Sequence, residues 1–171
     1  MKKCIVIVSL LLFVGSSLAQ AQIQSWAAGF KLGEPTGVNL RKYGDRNALD
    51  ITVGTYGMLL GNYRDYRSGN YRTMGLMLNG SYLWYAPLFR ERMSAYAGVG
   101  LQVNSRRYYP NRFDNLHVKN ISLGPSGTVG LEYFSPYKST SFFLEGGAYV
   151  EFLPGFFFTS PQLSIGIRTN F

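Results

Sequence analysis

His117 is the one histidine of the chain, set in "NLHVKN" (Asn115 to Asn120). An imidazole beside a hydroxyl, with a carboxylate to orient it, is the arrangement that activates serine for acyl transfer. Ser122 is the nearest downstream serine and Asp114 lies just upstream. Nothing in their spacing selects the three for catalysis, and a lone histidine at a loop edge is the ordinary surface case. The acidic residues are scattered singly, with no pair at acid–base spacing. No glycine-rich phosphate loop follows a strand and opens a helix. One cysteine, Cys4, and one histidine are too few soft donors for a metal site. The residues therefore predict a protein without catalysis, metal or cofactor.

Arginine and tyrosine offer more. "YRDYRSGNYR" holds Tyr63, Arg64, Tyr66, Arg67, Tyr71 and Arg72, and "RRYYPNR" holds Arg106, Arg107, Tyr108, Tyr109 and Arg112. Both residue types combine contact area with hydrogen bonding. Arginine also pairs well with phosphate. These two stretches are the expected interaction surface. A belt that only seats the protein against anionic lipid is preferred over a specific receptor or adhesin role.

The N-terminus has the layout of a secretory signal. Lys2 and Lys3 precede an apolar run, Cys4 to Val14, and small residues follow in "SSLAQAQ". The run is shorter than the roughly 20 residues of a spanning helix. Cleavage is expected after Ala19 or Ala21. Taking residues 1–21 as the signal, 171 residues become 150, one domain spanning 22–171. The mature chain then has no thiol, which excludes a disulfide scaffold. Without Lys2 and Lys3, 15 of the 17 basic residues face 9 acidic ones. In an exported protein that surplus suits anionic sugars or lipid headgroups, and no nucleic-acid partner is expected.

Tyrosine, phenylalanine and glycine number 13, 12 and 20, and charged residues make up only 15%. That balance favours strands and turns. Period two recurs along the chain. Eight segments show it: "SWAAGFKLG", "TGVNLRKY", "ALDITVGTY", "TMGLMLNGSYLWY", "SAYAGVGLQVN", "ISLGPSGTVGLEY", "SFFLEGGAYVEF" and "QLSIGIRTNF". Several reach the ~9–11 residues of a tilted membrane strand. An even number of antiparallel strands can close and leave no edge. Pro125 lacks a ladder donor, so a local bulge is expected there.

Connections alternate in length. Gly44–Asn47, Pro87–Arg92 and Ser135–Thr140 are short turns, and Gly33–Thr36 is a short exception among the others. Gly57–Arg72 and Ser105–Lys119 are read as long loops, with Leu153–Pro161 intermediate. Short turns at one end and long loops at the other is the habit of outer-membrane barrels.

Two closed barrels remain possible. A soluble lipocalin-like barrel hides its apolar face, whereas a membrane barrel shows it to lipid. The polar face decides for lipid, because it is mostly Gly, Ser, Thr, Asn and Gln rather than the dense charge of a water-facing surface. Its few charges, Lys31, Arg41, Asp50, Glu132, Glu145 and Arg168, carry both signs and can pair inside. Trp26, Tyr43, Tyr56, Tyr82, Trp84, Tyr85, Tyr133, Phe134, Phe152 and Phe171 lie near strand ends, as girdle aromatics do. Eight strands leave a lumen just filled by side chains. The glycines expected inside (Gly98, Gly100, Gly124, Gly127, Gly130, Gly147 and Gly166) could still leave a slot for a small apolar ligand.

On these residues the chain resembles the small outer-membrane β-barrels of Gram-negative bacteria, the eight-stranded class of OmpX-like and OmpA-like proteins. The resemblance rests on the signal, the eight dyad segments and the closing alternation. It implies an all-β, eight-stranded antiparallel barrel, a monomer in the outer membrane with its N-terminus in the periplasm. It further implies that Leu163, Ile165, Ile167 and Phe171 face lipid and are read by the barrel-assembly machinery. The arginine-rich stretches would then meet lipopolysaccharide or a surface partner. A lipid A-modifying enzyme, or a carrier or channel for small hydrophobic molecules, is the alternative role.

Overall fold

The computed structural model describes residues 25–56, 65–66, 69–73, 75–88, 92–108, 118–136, 139–154 and 157–171. Residues 1–21 lie outside them. The strands are β1 (Trp26–Glu34), β2 (Thr36–Tyr43), β3 (Asn47–Tyr56), β4 (Asp65–Tyr66), β5 (Gly69–Thr73), β6 (Gly75–Leu88), β7 (Met93–Tyr108), β8 (Val118–Phe134), β9 (Thr140–Glu151) and β10 (Phe158–Asn170).

Eight of them close into a ring. Its order is β1–β2–β3–β6–β7–β8–β9–β10, and β10 returns to β1 through Ala27↔Asn170 to Glu34↔Leu163. Every pairing is antiparallel, so the chain is a closed eight-stranded barrel. Alternation sets its two faces. Phe30, Leu40, Ile51, Leu78, Leu101, Val129, Leu144 and Ile165 stand exposed outside, while Asn39, Arg41, Asp50, Asn79, Gln102, Glu132 and Glu145 are buried inside. An apolar exterior around a polar interior is the inside-out pattern of a transmembrane barrel.

The β1–β2 connection is tight for local reasons. Gly33 has φ +135°, a conformation that side-chain-bearing residues avoid. Thr36 clamps the turn: its Oγ1 donates to the Gly33 carbonyl at 2.7 Å and accepts from the Gly33 amide at 3.1 Å.

The structure corrects several expectations. The two long connections are partly strand. β7 runs on to Tyr108 and β8 starts at Val118, pairing Arg106↔Asn120, Arg107↔Lys119 and Tyr108↔Val118. These strands have 16 and 17 residues, more than a bilayer requires, so the hairpin projects beyond the barrel. β5 joins it through Tyr71↔Tyr108 and Thr73↔Arg107, and β4 joins β5. Polar composition suggested loop, but a polar strand outside the membrane still saturates its backbone by pairing.

The bulge expected at Pro125 lies across the ladder instead. β7–β8 register passes through Leu101↔Pro125 without a shift. On the other flank Ser126 faces Tyr149, whereas Leu123 faces Leu153, leaving one extra residue on the β9 side. Phe152 and Leu153 both donate to the Leu123 carbonyl, at 3.0 and 3.1 Å, which is bulge geometry.

Four aromatics assigned to the girdle turn inward. Tyr43, Tyr56 and Phe134 are buried, and Tyr85 packs against the buried cluster of Ala27, Tyr43, Ala48, Leu83, Tyr96 and Phe134. They share parity with the polar interior residues and stopper the lumen. Trp26, Tyr82, Trp84, Tyr133, Phe152 and Phe171 do face outward. Gly127 also faces outward rather than into the lumen, and a Cβ there would meet open space.

Candidate functional site

The interior charges gather at the terminus end of the lumen. β1 brings Lys31, β2 brings Arg41, β3 brings Asp50, β8 brings Glu132, β9 brings Glu145 and β10 brings Arg168, each on inward parity. Three cations face three carboxylates. Glu145 accepts Arg41 Nη2 and Arg168 Nη2 at 2.8 Å each on Oε1, and Lys31 Nζ at 3.0 Å on Oε2. Glu132 accepts Arg168 Nη1 at 2.9 Å and, more distantly, Arg41 Nη1 at 3.4 Å. Asp50 accepts Arg41 Nε at 2.7 Å.

Neutral donors complete each carboxylate. Tyr96 donates to Glu145 at 2.7 Å, and Tyr43, Ser141 and Tyr85 donate to Glu132 at 2.8, 2.8 and 2.6 Å. Asn39 and Thr52 do the same for Asp50, at 2.8 and 2.9 Å. The Arg168 guanidinium lies 3.5 Å from the Phe143 ring centre, and that of Arg41 lies 4.8 Å from the Tyr96 ring centre. Buried charges are tolerated only when such bonds replace the lost water. Here the network is a structural plug: its charges cancel and every carboxylate oxygen is occupied, while Asn39 Oδ1 and Arg168 Nε are left without a partner among the described residues.

Reading charges alone missed Asn39, Tyr43, Tyr85, Tyr96 and Ser141. The signal was present in parity, since Asn39, Arg41 and Tyr43 recur at every second position of β2.

An amide layer lies on the loop side of the charges. Asn79 donates to Ser126 at 2.7 Å, Gln162 donates to Gln102 at 2.8 Å, and Gln102 donates to Asn104 at 3.0 Å. A cavity of about 20 Å³ between Lys31, Asn79, Gln102, Glu145 and Gln162 has room for about one water. Tyr96 and the Phe143 ring occupy the space in front of Gly130 and Gly166, so those glycines make room for packed side chains rather than for a ligand. We expect purified protein in a planar bilayer to show no steady conductance. A stable open level would contradict the plugged lumen.

Ser122 is fully buried and faces inward, hydrogen-bonded to Tyr149 and donating to Glu151 Oε2 at 2.8 Å. Its hydroxyl is thus held by the barrel wall. His117 and Asp114 lie outside the described residues, as do Tyr63, Arg64, Arg67, Tyr109 and Arg112. Among the described residues no group of acidic, histidine or cysteine side chains could hold a metal.

For the arginine-rich stretches the backbone register is informative. Tyr66 lies on β4, Arg72 on β5, and Arg106, Arg107 and Tyr108 on β7. Thr73 and Lys119 pair with Arg107 from either side, so Arg72, Arg106, Arg107 and Lys119 occupy neighbouring strands of one projecting sheet. Leu163, Ile165, Ile167 and Phe171 stand exposed on the outer wall.

No protein-family model matches the chain, and no curated protein matches it in sequence. In structure it is similar to neisserial surface protein A. The two superpose with a TM-score of 0.57 over 85% of this chain and 93% of that one, at 13% identity. The likeness is one of fold, and this chain's fold is a closed eight-stranded antiparallel barrel.

Proposed function

We propose that this protein is a non-catalytic, monomeric outer-membrane barrel, exported through removal of residues 1–21. Its arginine- and tyrosine-rich sheet contacts the phosphates and sugars of lipopolysaccharide. Its closing residues Leu163, Ile165, Ile167 and Phe171 serve the assembly machinery. The observation that carries the surface role is the register that sets Arg72, Arg106, Arg107 and Lys119 on adjacent projecting strands. Clustered cations bind phosphate through charge-assisted bonds, and arginine does so bidentately. The β2–β3, β6–β7 and β8–β9 turns, the start of β1 and the end of β10 share the opposite end, which is the periplasmic end of such barrels.

Replacing Arg72, Arg106, Arg107 and Lys119 together by Ser tests the surface role. The readout is lipopolysaccharide retained by purified, folded protein, with folding checked by the mobility change of unheated against boiled samples. We expect retention to fall about tenfold or more, the loss of a few charge-assisted contacts. Unchanged retention by a folded variant would reduce the sheet to a solvated rim.

A further inference from the structure

The described part of the lipid-facing wall carries one charge. Among strand residues with described side chains, Lys42 is the only charged residue on the outward face. It follows Val38 and Leu40 on the outward parity of β2, at the periplasmic end. Its cross-strand neighbours are Trp26 and Leu49. Lys42 Nζ sits 5.4 Å from the Trp26 ring centre, and no carboxylate among the described residues pairs with it. An ammonium on an apolar wall costs free energy unless it snorkels to the headgroups and finds a counter-charge.

The surroundings fit one. Phe171 pairs with Trp26 through reciprocal backbone bonds of 2.8 and 3.1 Å, which puts two exposed aromatics beside the lysine. Leu49 pairs with Tyr82, and Tyr82 meets Trp84 edge-on at 5.0 Å. Trp and Tyr settle at headgroup depth, so Lys42 lies at the level of lipid phosphates. Arg46 is exposed in the adjoining turn, where its carbonyl accepts from the Tyr85 amide at 2.9 Å. Asn47, next along, pairs with Trp84. Two cations, Lys42 and Arg46, thus share one hairpin end framed by tryptophans with a single exposed carboxylate, Asp45, so the end keeps a net positive charge.

We propose that Lys42 and Arg46, between Trp26 and Trp84, bind the headgroup of an anionic phospholipid of the inner leaflet. The assignment rests on the outer-membrane orientation proposed above. The Lys42 ammonium meets the phosphodiester, Arg46 supplies the second donor set, and the indoles pack on the glycerol region.

The test is native mass spectrometry of the purified protein in detergent with phosphatidylglycerol or phosphatidylcholine. Wild type should retain one phosphatidylglycerol per barrel in preference to phosphatidylcholine. Lys42→Gln and Arg46→Gln should each lower that retention about fivefold, the value of one basic side chain at an anionic surface. Lys42→Arg should preserve it. Equal retention of the two lipids by wild type, or undiminished retention by Lys42→Gln, would overturn the lipid site. Unheated and boiled gel mobility separates the two failures. A normal shift without lipid preference removes this site alone, whereas a wild-type protein that shows no shift removes the membrane reading and the site with it.

Discussion

Glu145→Ala is expected to cost about 3–5 kcal/mol of barrel stability, the loss seen when one partner of a buried ion pair is removed. Glu145 holds three cations at 2.8–3.0 Å and accepts the Tyr96 hydroxyl. Its removal leaves Lys31, Arg41 and Arg168 with only Glu132 and Asp50 for counter-charge. Arg41 and Arg168 still bond to Glu132, but Lys31 has no other ion pair among the described residues. The unmatched charge sits in a lumen whose cavity at this level holds about one water. Glu145→Gln keeps the shape and some acceptor capacity, and should lose less. Denaturant unfolding in lipid vesicles, followed by gel mobility or tryptophan emission, gives both values. A loss below about 1 kcal/mol for Glu145→Ala would mean that water reaches the cluster freely, and the plug description would fail.

The second large effect concerns the outer wall. Leu101 is 65% exposed at the middle of β7, paired with Gly80 on one side and Pro125 on the other. Leu101→Arg places a guanidinium at bilayer mid-depth and should cost about 2–4 kcal/mol in vesicles. Leu101→Ala is the control, because it removes area without adding charge. The sign of the difference decides between the two barrel types. In a water-soluble barrel an exposed leucine is freely exchanged for arginine, and folding would be unaffected. In a membrane barrel the arginine variant should fold less, and less of it should reach the heat-modifiable form. Equal stability of Leu101→Arg and Leu101→Ala would place this face in water.

The amino-acid sequence by itself determined the architecture. Period two is a local property, and a slip of one residue would send every side chain to the wrong face, so eight alternating segments constrain the sheet strongly. The sparse charge of the polar face then decides which side meets lipid. The tertiary structure decided what the faces do. Arg41 meets Glu132 and Glu145, 91 and 104 positions away, and only closure and stagger of the ring can choose those partners. Tyr43 and Phe134 look like girdle residues by position, yet the register turns them into the lumen, where they meet edge-on at 6.2 Å. The β7–β8 hairpin continues past the bilayer because antiparallel pairing runs on as long as neighbouring backbones align, and hydrophobicity does not report that limit. The isolated lysine of the outer wall was legible as a residue but not as a site. Its meaning depends on the cross-strand pairing that sets Lys42 beside Trp26, which no local pattern contains.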